Sequence, residues 1–477
     1  MKPKRSKKFP QYLAGITVCL GAMGAGTVLG WTGNISQELQ NGDLNDIVID
    51  EVDMGWVGSI SNLGGMLVCF PIGLICDSIG RKNATLLLTA PFLLGWLLIL
   101  FAQNLAMVLI GRFIIGMAGG AFCVAAPLYT SEIAEKEIRG ALGSFFQLFI
   151  TLGIMLSYTL GYAVSVKIYT IVVTIVPLIF CTTFAFQPET PIYKLKRKDE
   201  KGAKYSLRRL RGKNYDVSHE IQQINAFLYE LENSNITIWD SMKKRSTKIA
   251  AIVSFSLMFF QQACGVNAVI FYTSDIFQDS GSSLHPKEAT MIIGAIQIVS
   301  SLTSSVVVDK LGRRILLLIS AFFMAVGLII LGVFFSLKYR SLVDEKMLET
   351  LGFLPIVGLC LFMVVYCLGF GPIPWMVAAE LFPPEIKSVA SAAAGTFNWL
   401  MAFFITKFYG DMSASLGGDV TFYIFAGICL IGTVFVFFVV PETKGKSLDQ
   451  IQRELNKQPL DDGVNNYGFK NSTLNIL

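Results

Sequence analysis

Primary amides inside apolar stretches are the side chains of this sequence best suited to binding a ligand. Gln261 and Gln262 are followed by Asn267 within one such stretch, and Asn398 lies in a later one. An amide has donors and an acceptor that all need partners, so these residues are rare in apolar helices unless they pair or line a cavity. The set contains no carboxylate or ammonium, and its chemistry suits the vicinal hydroxyls of a neutral polyol.

Two further stretches carry polar residues at helical spacing. Gln147 lies in one and Gln297 in the other, each with hydroxyl side chains on the same face. These hydroxyl residues are Ser144, Thr151 and Tyr158 in the first stretch and Ser300, Ser301 and Ser304 in the second. Such faces either line a cavity or join neighbouring helices by hydrogen bonds. The sequence leaves both interpretations open.

Helix-breaking residues stand close to several of these side chains. Gly265 lies between Gln262 and Asn267, and glycines and prolines between positions 369 and 374 precede Trp375. Broken helices within a membrane are tolerated where they line a cavity. An indole ring can pack on the apolar face of a pyranose, so we predict a site that combines amides with an aromatic wall.

The composition indicates a membrane protein. Of 477 residues, 53% are hydrophobic and 15% are charged, whereas a soluble domain carries about 25% charged residues. Twelve apolar stretches are long enough to cross a bilayer as helices: 11–33, 55–76, 83–102, 106–128, 141–164, 168–186, 248–277, 288–308, 314–337, 351–379, 388–410 and 417–440. The nine cysteines show no zinc spacing and there are two histidines, which argues against a disulfide framework and a histidine metal site.

An internal repeat divides the chain. DSIGRK at 77–82 recurs as DKLGRR at 309–314, each between two apolar stretches. We therefore predict an all-α membrane protein of twelve transmembrane helices in two pseudo-symmetric six-helix bundles. The predicted domains are a tail at 1–10, a bundle at 11–186, linker helices at 187–247, a bundle at 248–440 and a tail at 441–477.

Positive charge predicts the orientation of the helices. Lysine and arginine are dense in the amino-terminal tail and in the interval 187–247, whereas the loop 34–54 has neither. Both termini and the interval are therefore expected to be cytoplasmic. The interval is expected to form short amphipathic helices, with a disordered linker as the alternative. Asn34 begins a glycosylation sequon in the predicted outer loop.

An ordered set of motifs covering roughly 12–450 resembles the sugar porter family of the major facilitator superfamily. The motifs are GLICDSIGRK at 73–82, GR at 111–112, EIAEKEIR at 132–139, PETP at 188–191, QQACGVNAV at 261–269, DKLGRR at 309–314, GPIPW at 371–375, ELFPPEIK at 380–387 and PETKG at 441–445. The branch looks like the facilitative glucose and trehalose transporters.

The resemblance implies roles for individual residues. Gln147, Gln261, Gln262, Asn267, Gln297, Trp375 and Asn398 fall where such carriers contact sugar. Phe271 and Tyr272 fall where aromatic residues close the outer gate. Asp77, Arg81, Arg112, Glu132 and Arg139 match the inner charge network of the first half, and Asp309, Arg313, Arg314 and Glu380 match that of the second.

Some positions differ from the family pattern. Lys387 replaces an expected arginine, so bidentate pairing is lost there, and Ile192 stands where an arginine often follows the first PETP. Both changes weaken the expected inner network. Ala263 and Cys264 replace a common Leu-Ser pair, which leaves the choice of hexose open.

The expected function is facilitative uniport of a neutral sugar, a hexose or trehalose, by alternating access in the plasma membrane. The expected partners are the sugar and the lipid bilayer, with no nucleic acid, cofactor or metal, and the sequence does not indicate an oligomeric state. Uniport is favoured over proton symport because the first apolar stretch has no acidic residue. A non-transporting sugar receptor is a further alternative. An enzyme is disfavoured, since no nucleophile–base pair or catalytic residue is recognisable.

Overall fold

The structure is a computed structural model that describes residues 6–135, 138–233, 238–280, 285–383, 386–446 and 448–456. Within these residues, twelve helices or helix pairs are long and apolar enough to cross a membrane. In chain order they are Phe9–Gly30; Glu51–Ile79; Arg81–Leu87 with Thr89–Leu100; Leu105–Ile133; Arg139–Ala163; Val166–Phe184; Arg245–Ala263 with Val266–Phe271; Pro286–Leu311; Arg313–Tyr339; Leu354–Leu368 with Ile373–Leu381; Lys387–Leu416; and Gly418–Val439. We number them as spans one to twelve, and each overlaps one of the twelve predicted stretches.

The predicted all-α fold of two six-helix bundles is confirmed. One cluster of buried apolar residues lies within the first half, and a second lies mainly in the second half and includes Ile150 and Ile154 of span five. In the first half, the ring centroid of Phe122 lies 5.6 Å from that of Phe92 and 5.0 Å from that of Phe180. In the second half, Phe335 stacks on Phe422 at 5.5 Å. Aromatic contacts of this kind add to the stabilisation that burial alone provides.

The ends of the bundle differ in what they carry. We call the end that holds the start of span one the terminal side, because the linker helices and Leu448–Asn456 pack there. The linker helices are Pro191–Lys196, Glu200–Arg211, Ser218–Asn233 and Ile238–Lys243. The opposite end, the loop side, carries the short helices Thr32–Asn34, Ser36–Asn41, Thr273–Ser280 and Glu345–Thr350.

The linker helices dock onto the first half. Arg211 Nη1 donates to the carbonyl of Ile133 at 2.8 Å, and Arg211 Nη2 pairs with Glu220 at 2.7 Å. Leu207 and Leu210 are buried. The prediction of short helices in this interval is therefore confirmed, and the helices are attached to the bundle.

The two halves meet along two pairs of spans. Span two packs against span eleven, and span five packs against span eight. A Cβ built at Gly65 of span two would lie 3.0 Å from the ring of Trp399 in span eleven. Such close approach between helices depends on small residues.

Candidate functional site

Four of the predicted amides form a head-to-tail chain in the second half, which we call the amide chain. Asn267 Nδ2 donates to Gln262 Oε1 at 2.8 Å, and Gln262 Nε2 donates to Asn398 Oδ1 at 2.9 Å. Asn398 Nδ2 then donates to Gln261 Oε1 at 2.7 Å. All four side chains are buried, and each fixes the orientation of the next.

A break in span seven makes this chain possible. The helix is interrupted at Gly265, whose φ of +84° is the left-handed conformation that favours glycine. A Cβ at this position would lie 2.5 Å from the ring of Phe425. In an unbroken helix Asn267 would lie about 140° from Gln262 around the axis. The interruption therefore brings these two side chains into contact.

Span ten supplies the end of the amide chain. Its helix is interrupted at 369–372, which leaves main-chain carbonyls free for side-chain donors. Gln261 Nε2 donates to the carbonyls of Phe370 at 2.7 Å and Gly371 at 2.8 Å. Both hydrogens of that amide are then in use, so Gln261 orients Asn398 and has no donor left for a ligand.

Other groups of the amide chain remain free to bind a ligand. Gln262 Nε2 and Asn267 Nδ2 each use one of their two hydrogens, and Asn267 Oδ1 accepts no hydrogen bond from a described residue. A pair of donors beside an acceptor matches neighbouring hydroxyl groups, which both donate and accept. The chain includes no carboxylate or ammonium, so it is suited to an uncharged ligand.

The remaining predicted sugar contacts lie outside the amide chain. Gln297 is buried on span eight, and its Nε2 has no hydrogen-bond partner among the described residues. The ring of half-buried Trp375 would lie 3.3 Å from a Cβ at Gly395. Gln147 is half-buried on span five, with no hydrogen bond to a described residue. The structure brings together four of the seven residues, all from the second half, and gives Gln297 an unused donor.

The two predicted gate residues lie directly after the break in span seven, toward the loop side. Phe271 is fully buried, and Tyr272 packs on Tyr409 with ring centroids 5.2 Å apart. Tyr272 Oη lies 3.4 Å from the position that a Cβ at Gly58 would occupy in span two. These aromatic residues therefore lie at the contact between the halves on the loop side.

Hydrogen bonds also join the halves on the loop side. Tyr158 Oη of span five donates to the carbonyl of Ile270 at 3.0 Å. Asn34 Nδ2 donates to the carbonyl of Tyr158 at 2.7 Å, and Asn34 Oδ1 accepts from Thr290 Oγ1 at 3.0 Å. Asn34 is 1% exposed. The predicted glycosylation of Asn34 is therefore wrong for this conformation, because its amide nitrogen is inside the interface between the halves.

Two polar pairs complete the loop-side closure. Ser36 Oγ donates to Asp275 Oδ1, and Lys287 Nζ pairs with Glu38. Burial raises the pKa of Asp275 to about 6, although the hydrogen bond from Ser36 opposes that shift. Each pair joins one half to the other, so both must separate if the loop side opens.

On the terminal side, three of the five residues predicted for the charge network of the first half, Asp77, Arg81 and Glu132, are in contact. Arg81 Nη1 pairs with Asp77 at 2.9 Å, and Arg81 Nη2 pairs with Glu132 at 2.9 Å. Thr190 Oγ1 donates to the second oxygen of Glu132 at 2.5 Å. The network ties the ends of spans two, three and four to the first linker helix.

The second half repeats this arrangement. Arg313 Nη2 pairs with Glu380 at 3.3 Å, and Thr443 Oγ1 donates to Glu380 Oε2 at 2.6 Å. The side chain of Asp309 lies outside the described residues. Arg314 Nη2 donates to the carbonyl of Phe437. Equivalent groups in the two halves therefore make equivalent contacts, each within its own half.

The assignment of Arg112 to the inner network is wrong. Arg112 lies seven residues into span four, which begins on the loop side, and it is completely buried. Its guanidinium donates to the carbonyls of Val57 at 3.0 Å and Val28 at 2.9 Å, and its carbon lies 5.3 Å from the centroid of Trp31. Neutral acceptors of spans one and two hold this arginine, far from the terminal-side carboxylates.

No described ion pair joins the two halves on the terminal side. Every described ion pair there joins groups of one half or its linker. Arg139, at the start of span five, and Lys387, at the start of span eleven, are both exposed. A Cβ at Gly143 would meet no atom within 4 Å. Arg139 therefore forms no described ion pair with the other half, whereas the ion pair of Lys287 with Glu38 joins the halves on the loop side.

The repeated Pro-Glu-Thr segments make contacts that were not predicted from the sequence. Glu189 accepts from the main-chain N–H of Lys82 at 3.1 Å, and Glu442 accepts from that of Arg313 at 3.0 Å. Each carboxylate caps the helix that follows a D-x-x-G-R turn, and helix amino termini favour negative charge. The recurrence of PET at 188–190 and 441–443 was a signal that could have identified these contacts.

Comparison with known proteins places the chain in a family. Residues 21–455 match the family model of the Sugar (and other) transporter family. The chain is 36% identical over 449 residues to the facilitated trehalose transporter Tret1 of Polypedilum vanderplanki, covering 94% of this chain and 88% of that protein. It is 35% identical to the Anopheles gambiae protein of the same name, of which it spans 56%.

Solved structures show the same fold. The proton:xylose symporter XylE, bound to 6-bromo-6-deoxy-D-glucose, superposes with a TM-score of 0.75 at 20% identity, covering 93% of this chain and 99% of that one. The chain therefore belongs to the Sugar (and other) transporter family, whose model matches residues 21–455.

Proposed function

We propose that this protein is a facilitative uniporter of a neutral sugar, trehalose or a hexose, that works by alternating access. The amide chain carries the proposal: it offers uncharged donors and an acceptor beside a broken helix inside the second of two bundles. Family membership makes a sugar the expected solute. The names of the Tret1 relatives make trehalose the first substrate to test.

The geometry suggests how the sugar is bound. Hydroxyls of the sugar would take the free hydrogens of Gln262 and Asn267 and donate to Asn267 Oδ1. Gln297 Nε2, which has no described partner, would donate to a further hydroxyl, and the Trp375 ring would cover an apolar face of the sugar. Gln147 would approach from the first half. These roles were expected from sequence and remain proposals.

Release and reloading require the halves to exchange their contacts. In this structure, the loop side is held by Asn34 with Thr290, by Ser36 with Asp275 and by Glu38 with Lys287. Opening the loop side would break these contacts, while the terminal-side charges would gain partners across the cleft. Contacts present in one state alone set the balance between the states.

Uniport is favoured over proton symport because span one, the innermost helix of the first half, contains no acidic residue. A proton-coupled carrier needs a titratable group near its substrate path. The likeness to a proton:xylose symporter at 20% identity concerns the fold alone. We also propose that both termini face the cytoplasm, that the chain resides in the plasma membrane, and that it performs no bond chemistry.

Flux through the purified protein in liposomes tests this function. Labelled trehalose or glucose should enter until inside and outside concentrations are equal, with the same initial rate whether or not a pH gradient is imposed. Uptake that requires the gradient would identify a symporter. Sugar binding without flux would identify a receptor.

A further inference from the structure

A second cavity, separate from the cleft, lies on the terminal side of the first half. Its volume is about 600 Å³, and it lies between the ends of spans two, three and six and the first two linker helices. The residues that matter for its chemistry are Lys82, Glu189, Tyr205, Arg209 and Phe186. The cavity has no part in the proposed sugar path.

The charge in this cavity is net positive, because Lys82, Lys194 and Arg209 line it together with one carboxylate, that of Glu189. None of the ion pairs among the described residues includes Lys82 or Arg209. Arg209 donates to two neutral acceptors, the carbonyl of Phe186 and Tyr205 Oη. The carboxylate of Glu189 is taken up by the main-chain N–H groups of Lys82 and Thr190. Two cations therefore face the cavity without an ion pair, beside one carboxylate whose oxygens already accept from main-chain N–H groups.

The basic residue at the pseudo-symmetric position of the second half has contacts that Lys82 lacks. Arg314 corresponds to Lys82 in the repeated D-x-x-G-R motif, and Glu442 corresponds to Glu189. Arg314 donates to the carbonyl of Phe437 and lies 5.8 Å from its ring centroid. The guanidinium of Arg314 is therefore bound by groups of its own half, whereas the side chain of Lys82 in the first half has no such contact.

The cavity also adjoins the surface that faces lipid. Ile79, at the end of span two, is 40% exposed, and Phe186, just after span six, is 72% exposed. Ile179, two turns earlier on span six, is also exposed. The cavity mouth therefore lies where an apolar membrane surface gives way to basic side chains, at the level of lipid headgroups.

We propose that this cavity binds the headgroup of an anionic phospholipid from the leaflet on the terminal side, with its phosphate between Lys82 and Arg209. Basic pockets at this depth are suited to such headgroups, and guanidinium groups match phosphate geometry. The acyl chains would lie along the exposed side chains of spans two and six. Bound lipid would link Arg209 of the linker to Lys82, the residue after Arg81. It would thereby stabilise the charge network of the first half.

The test measures lipid binding to the purified full-length protein by native mass spectrometry. The variant Lys82→Gln/Arg209→Gln removes both cations, and Lys201→Gln/Lys213→Gln is the control, because those exposed lysines lie on the same linker outside the cavity. Wild type and control should prefer phosphatidylserine over phosphatidylcholine. The cavity variant should bind phosphatidylserine about 30-fold more weakly, equivalent to about 2 kcal/mol for two basic charges.

Other outcomes would overturn the proposal. Equal phosphatidylserine affinity in wild type and the cavity variant would show that the lipid does not bind in this cavity. An equal loss of affinity in the control variant would show a general effect of charge. If inorganic phosphate displaced phosphatidylserine completely at equal concentration, the ligand would be a soluble phosphate. Because Arg209 also holds the linker through Phe186, Lys82→Gln alone should show about a fivefold loss in a protein with unchanged circular dichroism.

Discussion

Replacing Gln262 with alanine removes the centre of the amide chain. The side chain accepts from Asn267 and donates to Asn398, and its second hydrogen is proposed to bind a sugar hydroxyl. Loss of that hydrogen bond, together with two positioning contacts, should weaken sugar binding by about 1–3 kcal/mol. The apparent affinity for the transported sugar should therefore fall by about 5- to 150-fold.

The assay is initial-rate uptake in liposomes over a range of sugar concentrations. Gln262→Glu should be more damaging than alanine, because a carboxylate would face Asn398 Oδ1, an acceptor, in a buried position. Gln222→Ala, an exposed glutamine of the linker, is the matched control and should behave as wild type. A folded Gln262→Ala protein with unchanged kinetics for both trehalose and glucose would refute the assignment of the binding site.

Three further expectations concern the contacts that set the conformational balance. Arg81→Gln removes the cation that pairs with Glu132, whose side chain is 9% exposed. The buried carboxylate left without its partner should lower the free energy of unfolding by about 3–5 kcal/mol, and an unaltered melting temperature would contradict this. Lys287→Ala removes the partly exposed ion pair with Glu38 and should increase thiol labelling of Ser274→Cys, at a buried loop-side position, by no more than about fivefold; lower labelling would contradict it. The pKa of Asp275 is about 6 here against 3.8 ordinarily, so the loop-closed state binds the proton more tightly. Lowering the pH from about 7.5 to about 5 should then favour closure about tenfold. Labelling of buried Ser274→Cys relative to exposed Asp43→Cys should fall accordingly, and Asp275→Asn should abolish the effect.

The amide chain was partly predictable because its residue types are conspicuous. Gln261, Gln262, Asn267 and Asn398 stand in sequence segments with few other polar groups, and Gly265 marks the point where a helix can break. Their hydrogen-bond order was not predictable. It depends on the carbonyls that span ten frees more than 100 residues later in the chain, and periodicity within one helix carries no information about that distance.

The wrong predictions for Arg112 and Asn34 have a common physical cause. Sequence motifs do not show how far a side chain lies from the end of the helix bundle. Arg112 was grouped with terminal-side charges by motif, yet seven residues of helix from Leu105 place it about 10 Å from the loop-side end of span four. Asn34 was read as exposed because its sequon follows an apolar stretch. The chain instead turns inward after Gly30 and places this amide between the halves.

A structure with bound sugar is the most direct test of the central claim. The account predicts trehalose or glucose in the cleft, with hydroxyl oxygens within hydrogen-bond distance of Gln262 Nε2 and of both polar atoms of the Asn267 side chain. A sugar bound away from the amide chain, or a cleft in which these amides bind only one another at saturating sugar, would contradict it.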